Sequence, residues 1–146
     1  MFTGRYEHTI DEKSRVTIPS DFREELGDSV YLTQGFDGNL QAFSVAVFEK
    51  FADRVRAISL LDPNSRILRR LIFSNAKLLK FDNAGRILIP GFLRETANLD
   101  ETALIVGMGE YFELWTPDKW QAQQISLNDI DANEQRFSAL DLTTLL

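Results

Sequence analysis

Two aspartate–arginine pairs stand four residues apart in closely similar phrases, DEKSRVTIP (Asp11 to Pro19) and DNAGRILIP (Asp82 to Pro90). In each, the acid opens a short polar turn, the arginine opens an apolar run and a proline ends it. A carboxylate at the mouth of a turn can accept hydrogen bonds from the turn's own amides. It can also accept from a guanidinium, either its own partner or the one in the other phrase. An arginine fixed in this way on rigid backbone is a planar, permanently charged fork. Such a fork suits phosphate contact or bidentate reading of guanine. Lys13, at the tip of the first turn, would add a mobile phosphate contact. Arg5 and Arg23, and Lys77 and Arg94 in the second phrase, could flank the pair. A single Asp-x-x-x-Arg more often marks a structural salt bridge, and a duplicated fold keeps its structural pairs as well. The motif alone therefore leaves both readings open.

The surrounding sequence is duplicated too. At an offset of 71, Arg15, Val16, Ile18, Pro19 and Phe22 meet Arg86, Ile87, Ile89, Pro90 and Leu93. One residue further out of step, LQAFS (Leu40 to Ser44) meets FELWT (Phe112 to Thr116), and Phe48 meets Trp120. The chain thus reads as two copies of one unit. Two copies are too few for a solenoid and point to a pseudo-symmetric pair. Alternation over YEHTID and the run RVTIP predict two strands that pair across the turn as a hairpin. Gly85 replaces Ser14 at the last turn position, which predicts a positive φ there. A short helix follows, with Ser20 as its N-cap and Gly27 just past its end. Two strands then meet through Gly35, Asp37 and Gly38. A longer helix starts at Ser44 in the first copy. In the second, Thr116 is the expected cap and Pro117 the first helical residue. Between the copies, Asp62 and Pro63 open a connecting helix with an apolar stripe and a basic side (Arg66, Arg69, Arg70). The expected divisions are a first repeat with its trailing helix over 1–60, a connecting helix over 61–74, a second repeat with its helix over 75–128, and an acidic tail over 129–146.

Composition bounds the function. The chain has 146 residues, 44% hydrophobic and 26% charged, with no cysteine and one histidine. Disulfides and thiolate metal sites are excluded, and a transition-metal site is not expected. His8 lies in a predicted strand with no catalytic partner. Asp11 and Asp82 each have an arginine neighbour that keeps them ionised, so they do not form an acid–base pair. GFDG and GMGE read as strand turns, not a phosphate loop. Phe112, Trp115 and Trp120 have core spacing. No enzyme and no cofactor are expected. The N-terminal stretch lacks the layout of a signal peptide, and no apolar run is long enough to span a membrane. The net charge of −6 argues against a polyanionic partner until its distribution is considered. Residues 1–94 hold 14 lysines and arginines against 12 acids, whereas residues 95–146 hold 2 against 10. A basic face on the first two thirds is therefore compatible with an acidic chain.

The opening MFTGRYEHTIDEKSRVTIP, the repeat DNAGRILIP and the later GMGEYFELW resemble the bacterial MraZ family, in order and over residues 1 to about 125. The resemblance implies an α+β fold: two tandem swapped-hairpin, AbrB-like half-barrel units related by a pseudo-twofold, with packed helices after each unit. It implies a cytoplasmic, nucleoid-associated transcriptional regulator. Its double-stranded DNA target would be short tandem G-containing repeats at the promoter of the division and cell-wall gene cluster. It further implies a homo-oligomer closed into a ring, with the turns facing DNA. Carried over by position, Lys13, Arg15 and Arg86 would contact DNA, supported by Asp11, Asp82, Ser14 and Gly85. The chain departs from the family's pattern at Ser14, usually glycine, and carries Ala84 where its own first copy has Lys13. One chain offers two small turns, too little for specific binding, so repetition around an assembly also follows from physics. Phe48, Phe51, Leu71 and Trp120, on the longer helices, are the expected subunit contacts. The competing reading is an oligomeric scaffold that binds no DNA.

Overall fold

The structure, a computed structural model, describes residues 1–142. The first copy runs β1 (Arg5–Thr9), β2 (Arg15–Thr17), α1 (Ser20–Leu26), β3 (Ser29–Gln34), β4 (Leu40–Phe43) and α2 (Val45–Ala57). The helix α3 (Pro63–Asn75) follows. The second copy repeats the order with β5 (Lys77–Lys80), β6 (Arg86–Leu88), α4 (Gly91–Ala97), β7 (Thr102–Gly107), β8 (Phe112–Trp115) and α5 (Pro117–Leu127), and α6 (Ile130–Ser138) comes last. The fold is the mixed α+β, two-copy arrangement that the repeat implies, with antiparallel sheets and, among the described residues, no closed barrel.

Strand partners differ from the hairpin expected from the sequence. β1 and β2 do not pair with each other. β1 pairs with β7 of the second copy and β5 pairs with β3 of the first, while β4 and β8 join the halves into a six-stranded sheet ordered β1-β7-β8-β4-β3-β5. β2 and β6 form a separate two-stranded ladder. The registers locate the pseudo-twofold. Val16 faces Ile87 in one ladder and Gln41 faces Glu113 in the other, and each is a pair of equivalent positions. The axis therefore passes through both pairs. Each half completes the other's sheet, so the two copies share a single core.

That core follows the pattern of the sequence. Alternation puts Val16 and Ile87 on the inner face of the ladder, both fully buried, beneath Ile18 and Ile89. The short helices add Phe22 and Leu93, which the duplication equates. Phe22 lies 5.0 Å from both Phe2 and Phe112, ring centre to ring centre, so it locks the N-terminus onto β8. A second cluster forms under α2 and α3. Phe48 stacks on Tyr31 at 4.1 Å, and the Thr33 hydroxyl donates to the Ile72 carbonyl at 2.7 Å. Ser44 and Asp62 cap these helices as expected, accepting from Val47 N at 3.3 Å and Asn64 N at 2.9 Å. Ser20 does not cap α1. The helix begins at Ser20 itself, and the carbonyl of Pro19, fixed at φ −50°, receives the amides of Phe22 and Arg23. Residues 1–116 form one compact unit and residues from 117 onward another. In the second, Asp129 caps α6, and Asn133 Nδ2 donates to Leu127 O at 2.8 Å. Among the described residues, no helix is long and apolar enough to cross a membrane.

A buried acid lies on the axis. Glu113 is almost fully covered, and its carboxylate accepts from Trp115 Nε1 at 3.0 Å. Burial pushes its pKa up, and the Asp37 charge adds to the effect, against the indole donor and Asn39. Between its ordinary 4.5 and this raised value the native state holds more protons than the unfolded chain. Stability should therefore fall as pH rises through that window. Glu113→Gln keeps an acceptor for Trp115 and removes the charge. Denaturant midpoints from mildly acidic to neutral pH should fall for the wild type and stay flat for the variant, leaving the variant the more stable at neutral pH. Parallel slopes would show that Glu113 titrates normally.

Candidate nucleic-acid interface

The two turns have the same internal geometry. Asp11 Oδ1 accepts from Lys13 N and Arg15 N, both at 2.9 Å, and Oδ2 accepts from Arg15 Nε at 2.8 Å. Asp82 repeats this: Oδ1 accepts from Ala84 N and Arg86 N at 2.9 Å, and Oδ2 from Arg86 Nε at 2.9 Å. Each aspartate thus closes its turn and orients its arginine at once. These hydrogen bonds hold both carboxyls below the ordinary 3.8, with the amides of Arg15 and Arg86 the largest cause. Both acids remain ionised at neutral pH, as the sequence reading expected.

The ladder brings the two turns together. Arg15 faces Leu88 and Arg86 faces Thr17, so alternation puts both arginines on the outer face, opposite Val16 and Ile87. Asp11 Oδ2 also lies 3.7 Å from Arg86 Nη1, which links the copies by charge. About a third of each arginine side chain stays exposed. Because the carboxylate takes Nε of Arg15, its terminal nitrogens are left for a ligand. The turns also clasp each other: Ile18 N donates to Gly85 O at 3.1 Å and Ile89 N to Ser14 O at 2.9 Å. Lys13 is exposed at the tip of its turn, where the second copy has only the methyl of Ala84.

Two residues read from sequence as flanking contacts instead brace the turns. Arg23 Nε donates to Ile18 O at 3.0 Å, and its guanidinium lies against Gly85 of the opposite copy. Arg94 donates to Ser14 Oγ at 2.6 Å, to Leu99 O at 3.1 Å and to Asp100 O at 2.7 Å. Sequence reasoning missed this role because the contact crosses the pseudo-twofold. The matched positions 23 and 94 carried the only signal. Ser14 and Gly85 both have positive φ, 64° and 76°, as the substitution between copies predicted. A Cβ on Gly85 would stand 2.6 Å from Arg23 Nε. Gly85→Ala should therefore cost about 1–2 kcal/mol from left-handed strain alone, with a loss of thermal stability of a few degrees in a melt. An unchanged melting temperature would mean the turn relaxes freely.

The duplicated clasp, with its crossed ladder and paired arginines, can be set against known proteins. The family model described as "MraZ protein, putative antitoxin-like" matches residues 1–71 and again 72–142. The chain belongs to the MraZ family. It is 43% identical over 138 residues to a protein from Roseiflexus sp. (strain RS-1) named "Transcriptional regulator MraZ", covering 94% of each chain. It is 41% identical to a protein of that name from Herpetosiphon aurantiacus, covering 88% of this chain and 90% of the relative. A third, from Clostridium acetobutylicum, is 34% identical over 97% of this chain and the whole of the relative. The two matches of the MraZ model divide the chain close to the repeat offset. They run past the point where the resemblance read from sequence stops, and so take in the acidic tail as far as 142.

The residues expected at subunit contacts are placed unevenly. Phe48 is buried among Tyr31, Phe43 and Phe51 of its own chain, which leaves little of it for a neighbour. Phe51, Leu71 and Trp120 are half-buried. Phe112 and Trp115 lie in the core, as their spacing suggested.

Proposed function

We propose that this protein is a sequence-specific, DNA-binding transcriptional regulator whose paired turns read duplex DNA. The observation that carries this reading is the outer face of the β2–β6 ladder. Two guanidinium groups lie on one side there, each fixed through Nε by a carboxylate and each partly exposed. The naming of the relatives as transcriptional regulators supports it. The target is the promoter of the division and cell-wall gene cluster, and the element read is a short tandem repeat containing guanine. The terminal nitrogens of Arg15 and Arg86 meet guanine O6 and N7. Lys13 supplies a phosphate contact in the first copy only, so the two turns of one chain bind unequally. The working form is a closed homo-oligomeric ring on the nucleoid, in which many turns engage one DNA molecule and gain from effective concentration. The repeats over 1–60 and 75–128 carry the turns and trailing helices, 61–74 connects them, and 129–146 is an acidic tail.

A scaffold without DNA binding is the second reading, favoured by the net charge of −6. A titration of the protein with duplexes containing tandem guanine repeats, against shuffled duplexes at several salt concentrations, separates the two. A regulator prefers the repeats, and log K falls with log salt by roughly 0.9 per phosphate contact. Equal, negligible binding to both duplexes at low salt would leave the scaffold.

A further inference from the structure

The outer face of the β2–β6 ladder carries four side chains, and the reading of DNA by paired arginines uses only two of them. Arg15 stands opposite Leu88 and Thr17 opposite Arg86, so the arginines lie on one diagonal of the face and Leu88 and Thr17 on the other. The pseudo-twofold equates Leu88 with Thr17, at the repeat offset of 71. Leu88 is 57% exposed, although Ile87 and Ile89 on either side of it are fully buried. A lone leucine at a surface needs no explanation. Leu88 is in company: its cross-strand partner is a guanidinium fixed by a carboxylate, and its twofold mate is a half-buried threonine. An outward position accepts a polar residue at 88 as it does at 17, so the core does not demand the apolar side chain.

The dimensions fit a groove of duplex DNA. A two-stranded ribbon enters the major groove, where the base edges display one apolar group, the C5-methyl of thymine. Directly paired side chains stand about 5 Å apart, and successive base pairs rise about 3.4 Å. With the terminal nitrogens of Arg15 on a guanine, Leu88 therefore lies over a base pair one or two steps away. We propose that Leu88 is a specificity-determining residue that packs on the C5-methyl of a thymine beside the guanine read by Arg15. Thr17 places a hydroxyl at the corresponding position beside Arg86, and a hydroxyl meets donors and acceptors alike. One end of the ladder thus reads guanine with a neighbouring methyl, and the other reads guanine with a tolerant neighbour. That difference gives the ladder a direction on the duplex, although its arginines are twofold-related. The minor groove displays no methyl, so the ladder is committed to the major groove. The inference rests on the reading of Arg15 as a guanine contact and adds the neighbouring base to it.

The test is a binding titration of the full chain with duplexes of tandem guanine repeats flanked by thymine. Each thymine in turn is replaced by deoxyuridine, a change that removes the methyl and keeps every hydrogen-bonding group. The wild-type protein should lose about fourfold in affinity per engaged ladder at one position, the equivalent of one buried methyl group. Leu88→Ala should bind the thymine duplex more weakly by a similar factor and lose nothing further with deoxyuridine. Its salt slope should equal that of the wild type, because no phosphate contact is lost. Leu88 lies outside the core, so the variant should fold and sediment as the wild type does. A wild-type protein that prefers the repeats but binds thymine and deoxyuridine duplexes equally would overturn the proposal and leave the arginine reading standing. So would a Leu88→Ala variant that still discriminates the methyl, or one whose assembly fails, which would make Leu88 a subunit contact. A wild-type protein with no preference for guanine repeats would remove the reading itself, and the proposal with it.

Discussion

Replacing Arg15 and Arg86 together by alanine should abolish specific DNA binding while leaving the chain folded and its sedimentation unchanged. Both side chains point away from the core, and neither donates a hydrogen bond that closes a turn. The turn is held by Asp11 and Asp82 through backbone amides, which the substitutions leave in place. If the arginines read guanine, each lost contact should cost about 1–3 kcal/mol and relax the preference at its base. If they only touch phosphate, binding should weaken on every sequence, and the salt slope should fall by roughly 0.9 per contact. Arg15→Ala alone should do more harm than Arg86→Ala, because Lys13 reinforces the first turn and Ala84 adds nothing to the second. Asp11→Ala is the companion variant. It removes three hydrogen bonds and the bridge toward Arg86, so its effect should appear first in thermal stability. A double arginine variant that assembles and still prefers the repeats at full strength would take the turns out of the reading role.

Ile87→Ala should be the most destabilising of these substitutions, by about 2–5 kcal/mol. Ile87 is fully buried and sits on the pseudo-twofold opposite Val16, where the two copies meet. The cavity would open at the centre of the shared core, and both halves should loosen together in one urea transition. Its neighbour Leu88 is the control. It lies one residue along the same strand and is 57% exposed on the outer face. Leu88→Ala should change stability by less than about 0.5 kcal/mol. Comparable losses at 87 and 88, or separate transitions for the two halves, would contradict the interleaved core.

Much of this molecule is legible in one sequence because the sequence says it twice. The offset of 71 gives the element order, and alternation in RVTIP and RILIP assigns Val16 and Ile87 inward and Arg15 and Arg86 outward. The exchange of Ser14 for Gly85 marks the positive φ at both turns. Asp62 before Pro63 fixes the start of α3. These are local properties, set by covalent geometry, side-chain period and capping, and they are repeated wherever the residues recur.

Strand partnership is not local, and only the tertiary structure decides it. Period two says which face a residue takes but not which strand lies beside it, so YEHTI reads equally well as a partner for RVTIP or for TALIVG. The structure chooses the second, because in this fold each half completes the other's sheet. Asp11 spends its carboxylate closing the three-residue turn and fixing Arg15, and β2 leaves to pair with β6. The same crossing turned Arg23 and Arg94 from surface cations into braces on the opposite turn. It also set Gln41 against Glu113 on the axis, where a true homodimer would face two identical side chains. Fusing the copies in one chain frees the on-axis pairs from identity. The sequence shows that positions 41 and 113 differ, and only their meeting across the axis shows why they can.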